Sequence, residues 1–432
     1  MKKVLKTLIA HPILIVLVVI IVFYLPAALA LAPEGLKRQH VASIGIDLAG
    51  DKVEVSLLSY FSTESQGFKE NYLFVSAIGD NVPAAIRQIE INSGREVALT
   101  HTTVIVVSQA LANNGLEKHL DYFYRDDTVS NNAHLICTKS TAKEVLQYEQ
   151  QIVNSINVGL EELSLYNSQS VLFTDINLES FYKGYFSQVN ASIVGLLEVA
   201  ETVQEGGGGG SSSGGGSSSG GGSSGESGGS SSGGSGGEGS SSGASSSPMQ
   251  LQIKSFDEVL VLKGGKAAFE LSREDIKGMN FLNARTRNVI FEVFGISDDF
   301  YDDVDITFRV ERNAVKRKGY FENGAPVFEA NILLQVSIDE LKAEILRPKY
   351  YSNKQNLFTE AVVKAIEAEV KGAVRGVFEK CKENRVDVLG IFSVLHDQDA
   401  GRFLDWYNSL PNPDDFLSYV TFKISVVPTL TI

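Results

Sequence analysis

Cysteine is scarce in this chain. Only Cys137 and Cys381 occur among 432 residues, which excludes a disulfide framework and a CxxC metal site. Their contexts, His134–Leu135–Ile136–Cys137 and Phe378–Glu379–Lys380–Cys381, read as a strand and a helix, so both thiols are expected to be small buried hydrophobes. Histidine is also sparse, with six residues: His11, His40, His101, His119, His134 and His396. No two stand at i, i+4 and there is no HExxH, so the usual helical zinc pattern is missing. Positive charge is in deficit. Lys and Arg number 38 against 52 Asp and Glu, a net charge of −14. That argues against nucleic acid, whose phosphates need a basic surface, and against docking on anionic headgroups. Disorder is excluded by 43% hydrophobic and 9% aromatic content, enough for packed cores in two or three domains.

Long apolar runs are absent except for one, Pro12 to Ala32. No residue from Ile13 to Ala32 is charged, and Lys2, Lys3 and Lys6 precede the run. As a helix rising ~1.5 Å per residue it just crosses a ~30 Å hydrocarbon core. The lysines keep residues 1–11 cytoplasmic, with residues 12–32 as an anchor and the remainder outside. A cleaved signal peptide is the competing reading, since Ala30–Leu31–Ala32 satisfies a small-x-small site and Pro26 breaks the helix before it. The long apolar core favours the anchor. Either way the rest of the chain is exported. A buried core helix fits poorly, because the run has no polar face. So little cysteine in an exported chain fits a bacterial envelope better than a eukaryotic secretory path.

Residues 206–247 are almost entirely Gly and Ser, interrupted by Glu226, Glu238 and Ala244. Such a tract has nothing to bury and forms a flexible coil. The match Gly221-x-Ser223-x-Gly225 within it is a product of composition, because a nucleophile elbow needs a strand before it and a helix after it. Strand-like runs at 192–199 and 259–262 flank the tract and can pair across it, since closure entropy grows slowly with loop length. The tract is therefore read as an inserted loop.

Elsewhere strand and helix signals alternate. Val41–Asp47 and Val53–Tyr60 read as strands joined by a turn at Ala49–Lys52. Val82–Ile91 reads as a helix opened by Pro83 and closed near Gly94. Thr102–Val107 is a β-branched run suited to burial on both faces. Gly115–Arg125 is amphipathic, and Thr141–Glu144 is a capping box opening a helix through Leu146 and Tyr148. Val304–Val310 and Val327–Val336 alternate like strands. Leu357–Cys381 is a long helix whose stripe Phe358, Val362, Ile366, Val370, Val374, Val377 and Cys381 packs on a sheet. Tyr419–Thr431 is a closing strand, with Pro428 suited to an edge.

No catalytic set can be assembled. His101, at the mouth of a buried strand, reads as a local hydrogen-bonding residue. Asp298, Asp299, Asp302, Asp303 and Asp305 lack the sixth-position Gly and distal Glu of an EF-hand and read as a solvated loop. Arg125–Asp126–Asp127 and Arg309–Val310–Glu311–Arg312 read as surface ion pairs. No catalytic, cofactor-binding or metal residue is assigned, no cofactor is expected, and a ligand site is unknown.

Several segments, in order, resemble one family. They are Val41–Ala42–Ser43–Ile44–Gly45–Ile46–Asp47; Leu99–Thr100–His101 with Ser108–Gln109–Ala110–Leu111–Ala112, Gly115–Leu116 and Leu120–Asp126; Ala142–Lys143–Glu144–Val145–Leu146; Gly265–Phe269 with Ile276–Lys277–Gly278; and Arg385–Val386–Asp387–Val388–Leu389–Gly390, continuing through Trp406 into the closing strand. The set is similar to the C-subunit family of bacterial spore germinant receptors, Ger(x)C. The resemblance implies a mixed α/β (α+β) ectodomain without a catalytic centre. It also implies a nutrient-responsive receptor complex with integral-membrane A- and B-type subunits, at the spore inner membrane. Gly265–Phe269 with Ile276–Gly278 resembles a strand and turn opening the family's C-terminal domain. The expected division is an N-terminal α/β domain at 39–160, a middle domain at 161–275 carrying the Gly/Ser insertion, and a C-terminal α/β domain at 276–432. Family members carry a lipidated cysteine after the signal segment. Here no cysteine precedes Cys137, so attachment falls to the apolar run. The alternatives are an extracytoplasmic solute-binding or envelope scaffold protein and, further off, a hydrolase.

Overall fold

β-Branched runs separated by short amphipathic helices build a nine-stranded sheet. The computed structural model describes residues 38–62, 70–126, 128–156, 159–162, 176–202, 250–284, 288–298, 301–342 and 358–431. The apolar run at 12–32 and the Gly/Ser tract at 206–247 lie outside these residues. Among the described residues no helix is long and apolar enough to cross a membrane. One compact unit holds Met1–Val199 and Ile253–Ile432; of the second, Ala200–Gln252, only strand ends are described.

Strands β1 (Arg38–Ala49), β2 (Lys52–Ser62) and β3 (Glu70–Gly79) form an antiparallel meander. Gly50 makes its first turn at φ 63°, a conformation glycine adopts without strain. The short β4 (Glu96–Ala98) pairs beside β1. β5 (Val104–Ser108), β6 (His134–Thr138) and β7 (Ala191–Thr202) continue the sheet in parallel, and β8 (Gln250–Lys263) and β9 (Lys266–Leu271) close it as a hairpin. The spatial order is β3-β2-β1-β5-β6-β7-β8-β9. Every residue of β5 and β6 is buried, because helices cover both faces.

Helices α1 (Val82–Ser93), α2 (Gln109–Asn114), α3 (Glu117–Arg125) and α5 (Leu178–Tyr185) pack on the face that bears Ile44, Ile46, Ile105 and Val107. α4 (Ala142–Ile156) lies against β1, β2 and β3 where Gly45 alternates with those isoleucines. α1 ends as expected, with Gly94 at φ 64° and its N–H donating to the Glu90 carbonyl.

The second sheet has the order β10-β11-β12-β13, from β10 (Val289–Ile296), β11 (Val304–Glu322), β12 (Ala325–Lys342) and β13 (Thr421–Leu430). β11 and β12 run much longer than the expected Val304–Val310 and Val327–Val336. They join through Asn323–Gly324, where φ is 51° and 84°, the left-handed pair that a two-residue hairpin turn requires. β13 lies parallel to β12 at the sheet edge, where Pro428 removes no needed donor. α7 (Glu360–Glu383) covers one face, and every residue of the expected stripe except Phe358 is fully buried. α8 (Ile391–Gln398), α9 (Ala400–Asn408) and a 3₁₀ turn at Pro413–Tyr419 complete this half.

Two expectations change. β7 and β8 are neighbours across the Gly/Ser tract, as an inserted loop requires. With β9 they extend the first sheet, although they fall in the stretch 161–275 expected as a separate middle domain. Ile276–Lys277–Gly278, expected in a strand and turn, lies in α6 (Arg273–Leu282), because Ser272 and Asp275 form a reciprocal capping box that starts a helix there.

β8 belongs to both cores. Val259 and Val261 join the core under α7, while Leu260 and Leu262 join the core under α1 to α3. Successive residues of a strand point to opposite faces, so four adjacent apolar residues close two cores at once.

Two helical glycines make opposite predictions. A Cβ at Gly278 would collide with the Ala373 carbonyl of α7, whereas a Cβ at Gly372 would meet nothing within 4 Å. Gly278→Ala is therefore expected to cost about 1–3 kcal/mol. Gly372→Ala is expected to gain up to about 1 kcal/mol from helix propensity. Urea midpoints of the two variants check both signs.

Candidate interaction surface

The segments singled out in the sequence meet in pairs. The Asp47 carboxylate accepts from the Ala142 and Lys143 backbone N–H groups at 2.8 and 2.9 Å, at the start of α4. A carboxylate there satisfies orphan amides and the positive end of the helix dipole. Thr141 and Glu144 add the expected capping box, each accepting from the other's amide at 3.2 Å. Gly45 makes the approach feasible, since a Cβ there would stand 3.2 Å from the Ala142 Cβ and carbonyl. Burial raises the Asp47 pKa, while the two amides and the Ser108 hydroxyl pull against it.

The second half repeats the device. Asp387 is buried and accepts from the Leu389 and Phe392 N–H groups at 3.0 and 2.7 Å, just ahead of α8. Gly390 turns the chain there at φ 73°. Burial raises this carboxyl too, opposed by the surrounding amides. Each oxygen of both aspartates is engaged by a backbone amide.

The β8–β9 turn gathers the remaining segments. Leu116 N–H donates to the Gly265 carbonyl at 2.8 Å, and Gly264 N–H donates to the Asn190 carbonyl at 2.7 Å. Lys263 Nζ donates to the Val189 carbonyl and to Asp414 Oδ1, both at 2.9 Å. Gln109 Nε2 donates to Glu270 Oε1 at 2.8 Å. Gly265 has φ 76°, and a Cβ there would strike the Glu117 carboxylate.

The candidate side chains from the sequence mostly stay apart. His40 and His101 are the histidines that meet, with ring centroids 5.1 Å apart beside Tyr60. Burial lowers the His40 pKa, helped by His101 and Arg38. Burial also lowers that of His119, with Lys118 adding and Glu117 opposing. His396 stacks on Phe392, His134 lies buried in β6, and His11 lies outside the described residues.

In the acidic loop, Asp298 accepts from Tyr301 N–H at 2.9 Å and from the Thr359 hydroxyl, and Asp305 accepts from Gly295 N–H at 3.0 Å. These are turn clasps. Arg125 pairs with Asp121 one turn back, at 2.7 Å, while Asp126 accepts from Thr128. Arg309 pairs with Asp339 across the hairpin at 2.7 Å. The expected ion pairs thus form with partners one turn or one strand away, where the side chains share a face. Cys137 and Cys381 are buried and free, with thiol pKa values pushed up by burial, Cys381 to about 12. Among the described residues no three His, Cys, Asp or Glu side chains group to hold a metal ion.

An exposed aromatic patch lies on α3 and α5. Tyr124 and Tyr182 meet at a tilt with centroids 4.2 Å apart, and Phe186 stacks on Tyr182 at 5.7 Å. Tyr182 is buried, but Phe186 is 67% exposed and Tyr124 44%. The Tyr182 hydroxyl donates to the Glu117 carbonyl at 3.4 Å, which ties the patch to the β8–β9 turn. Aromatic rings left in solvent on a rigid base are typical anchors of protein contacts. Sequence reading missed this patch, although Tyr122–Phe123–Tyr124 and Tyr182–Tyr185–Phe186 signal it by composition.

One buried acid sets a pH dependence. Glu149, on α4, accepts from Leu160 N–H at 3.2 Å, and its other oxygen faces Ser43 without meeting hydrogen-bond geometry. Burial pushes its pKa up to about 7, with Glu162 and Glu161 adding to the shift. The folded protein keeps this proton to about pH 7, whereas the unfolded chain releases it near the ordinary 4.5. More protons are bound folded than unfolded in that window, so stability falls as pH rises through it, by on the order of 3 kcal/mol. Glu149→Gln is expected to flatten the fall in urea midpoint between about pH 5 and about pH 8; parallel slopes in the two proteins would contradict it.

Comparison with known proteins finds one match on each side of the Gly/Ser tract. Residues 36–199 match the family model described as spore germination protein N-terminal domain. Residues 257–429 match that described as spore germination B3/GerAC like, C-terminal. The solved structure titled "Crystal Structure of the GerBC protein" covers 90% of this chain and 97% of its own, at 14% identity and a TM-score of 0.47. No curated protein matches in sequence. With both of its domains matched in order, the chain belongs to the Ger(x)C family of spore germination proteins.

Proposed function

We propose that this chain is a membrane-tethered, non-enzymatic receptor subunit that acts in spore germination by protein–protein contact. The observation that carries the reading is the ordered match of both family domains. Two features of the chain support it. The buried aspartates of the segments that resemble the family are occupied by backbone amides. The run at 12–32 is apolar enough to tether the chain. The described residues then stand outside the cytoplasm at the spore inner membrane, beside integral-membrane A- and B-type subunits. The contact surface is the patch of Tyr124 and Phe186.

The test is a full-length chain carrying Tyr124→Ser and Phe186→Ser in a spore former. Co-purification of the integral-membrane subunits is expected to fall at least about tenfold, the loss of a contact anchor. Nutrient-triggered germination should slow, while the urea midpoint stays near that of the parent. Full co-purification with unchanged germination would contradict the proposed surface. For the tether, a chain lacking residues 1–32 is expected to fold and to leave the membrane fraction when its partners are absent.

A further inference from the structure

We infer that the outer edge of β10 is a docking strand for an extended, basic segment of a partner protein. The inference shares with the proposed function only the idea that this chain works by contact, and it concerns a surface separate from the aromatic patch. β10 ends the four-stranded sheet; β11 flanks it on one side and no described strand flanks it on the other. Outward backbone N–H and C=O groups on such an edge invite another strand.

Protein edges are normally blunted by proline or lysine. The opposite edge of the same sheet follows this rule, with Lys423 and Pro428 in β13. β10 does not. It reads Val289–Ile290–Phe291–Glu292–Val293–Phe294, and its register with β11 breaks only after Val293. Ile290 is 49% exposed and Phe294 66%.

A groove of about 570 Å³ runs beside this edge, with Val293 and Phe294 on one wall and Ala365, Ala368 and Gly372 of α7 on the other. Gly372 is the informative residue. A mid-helix glycine costs about 1 kcal/mol relative to alanine. Here no positive φ requires it, and a side chain there would meet open space. Gly376, one turn on, faces open space as well; of the two, Gly372 is the one that lines the groove and leaves room for a strand laid along β10.

The charge of the groove specifies the occupant. Glu274, Glu292 and Glu369 line it, and no lysine or arginine does. Glu274 and Glu292 hold Lys277 and Lys342 at 2.6 and 3.1 Å; Glu369 lies beside Ala368 on the same wall. An added strand presents alternate side chains to the two faces. Basic residues would turn to Glu274 and Glu369 on the helix side, where Gly372 leaves room, and apolar residues would lie beside Ile290 and Phe294 on the other face. This is strand addition, with main-chain hydrogen bonds giving affinity and the groove giving selectivity.

The probe is a fluorescent peptide of alternating lysine and valine, titrated against the full chain in detergent. The control has the same charge, with proline in place of valine. The valine peptide should bind, the proline peptide should not, and the amides of Ile290 to Phe294 should gain protection from hydrogen exchange. Gly372→Leu fills the groove and Glu369→Lys reverses a charge on its wall; each should weaken binding at least about tenfold. Glu369→Lys, on the helix surface, keeps the test valid where Gly372→Leu fails to fold. Equal binding of both peptides would reduce the effect to charge attraction and overturn the inference. So would no binding, protection at another strand, or protection arising from self-association of the chain. The assay contains no receptor partner, so its failure leaves the proposed function standing.

Discussion

The described fold depends on one strand. β8 buries Val259 and Val261 in the core under α7 and Leu260 and Leu262 in the core of the parallel sheet. Full burial of each such side chain is worth roughly 1.5–3 kcal/mol, so this short stretch contributes to both cores on the scale of a domain's whole stability. The turn that follows extends the effect. Gly264 and Gly265 receive or donate hydrogen bonds to the start of α3 and to the loop before β7, while Lys263 reaches Asp414. Substitutions here are expected to be felt in both halves, because neither core closes without β8.

The segments that resemble the family make sense in these terms. Gly45 and Asp47 seat α4, Asp387 and Gly390 start α8, Gly278 lets α6 and α7 touch, and Gly265 admits the start of α3. Each is a place where a helix end or a close crossing leaves room for one residue type. A fingerprint made of caps and contact glycines describes a scaffold, and it directs the search for activity to the surface. There the exposed rings of Tyr124 and Phe186 and the β10 edge are the features singled out.

Much of this was legible in the chain, for local reasons. Strand period, capping residues and the α7 stripe depend on neighbours in sequence, and they located β1, β2, β5, α1, α4 and α7 to within a few residues. The mixed α+β class followed from their alternation. What was illegible depends on distant partners. Ile276–Gly278 is the exception: its helix is signalled locally by Ser272 and Asp275, three residues apart, against the strand and turn that the resemblance implied. β7 to β9 fall in the stretch 161–275 read as a middle domain, because the pairing of β7 with β6 that joins them to the first sheet leaves no local pattern. The pairing of Asp47 with Ala142 spans 95 residues, and no periodicity reports it. The aromatic patch was hidden because its rings come from two helices, and amphipathic counting assigns aromatic rings to the core.

The two cysteines that opened the sequence reading provide the most direct test of the shared strand. Cys137 is buried in the parallel sheet and Cys381 on α7, one in each core. Thiol labelling of the full chain across a urea series, read by mass spectrometry for each cysteine separately, reports the opening of each core. If β8 unites them, both thiols become reactive over the same urea range, and Leu260→Ala shifts both together, by the about 2–5 kcal/mol of a buried truncation. Labelling of one cysteine well before the other, or a shift confined to Cys137, would show that the cores open independently and would contradict the central role of β8.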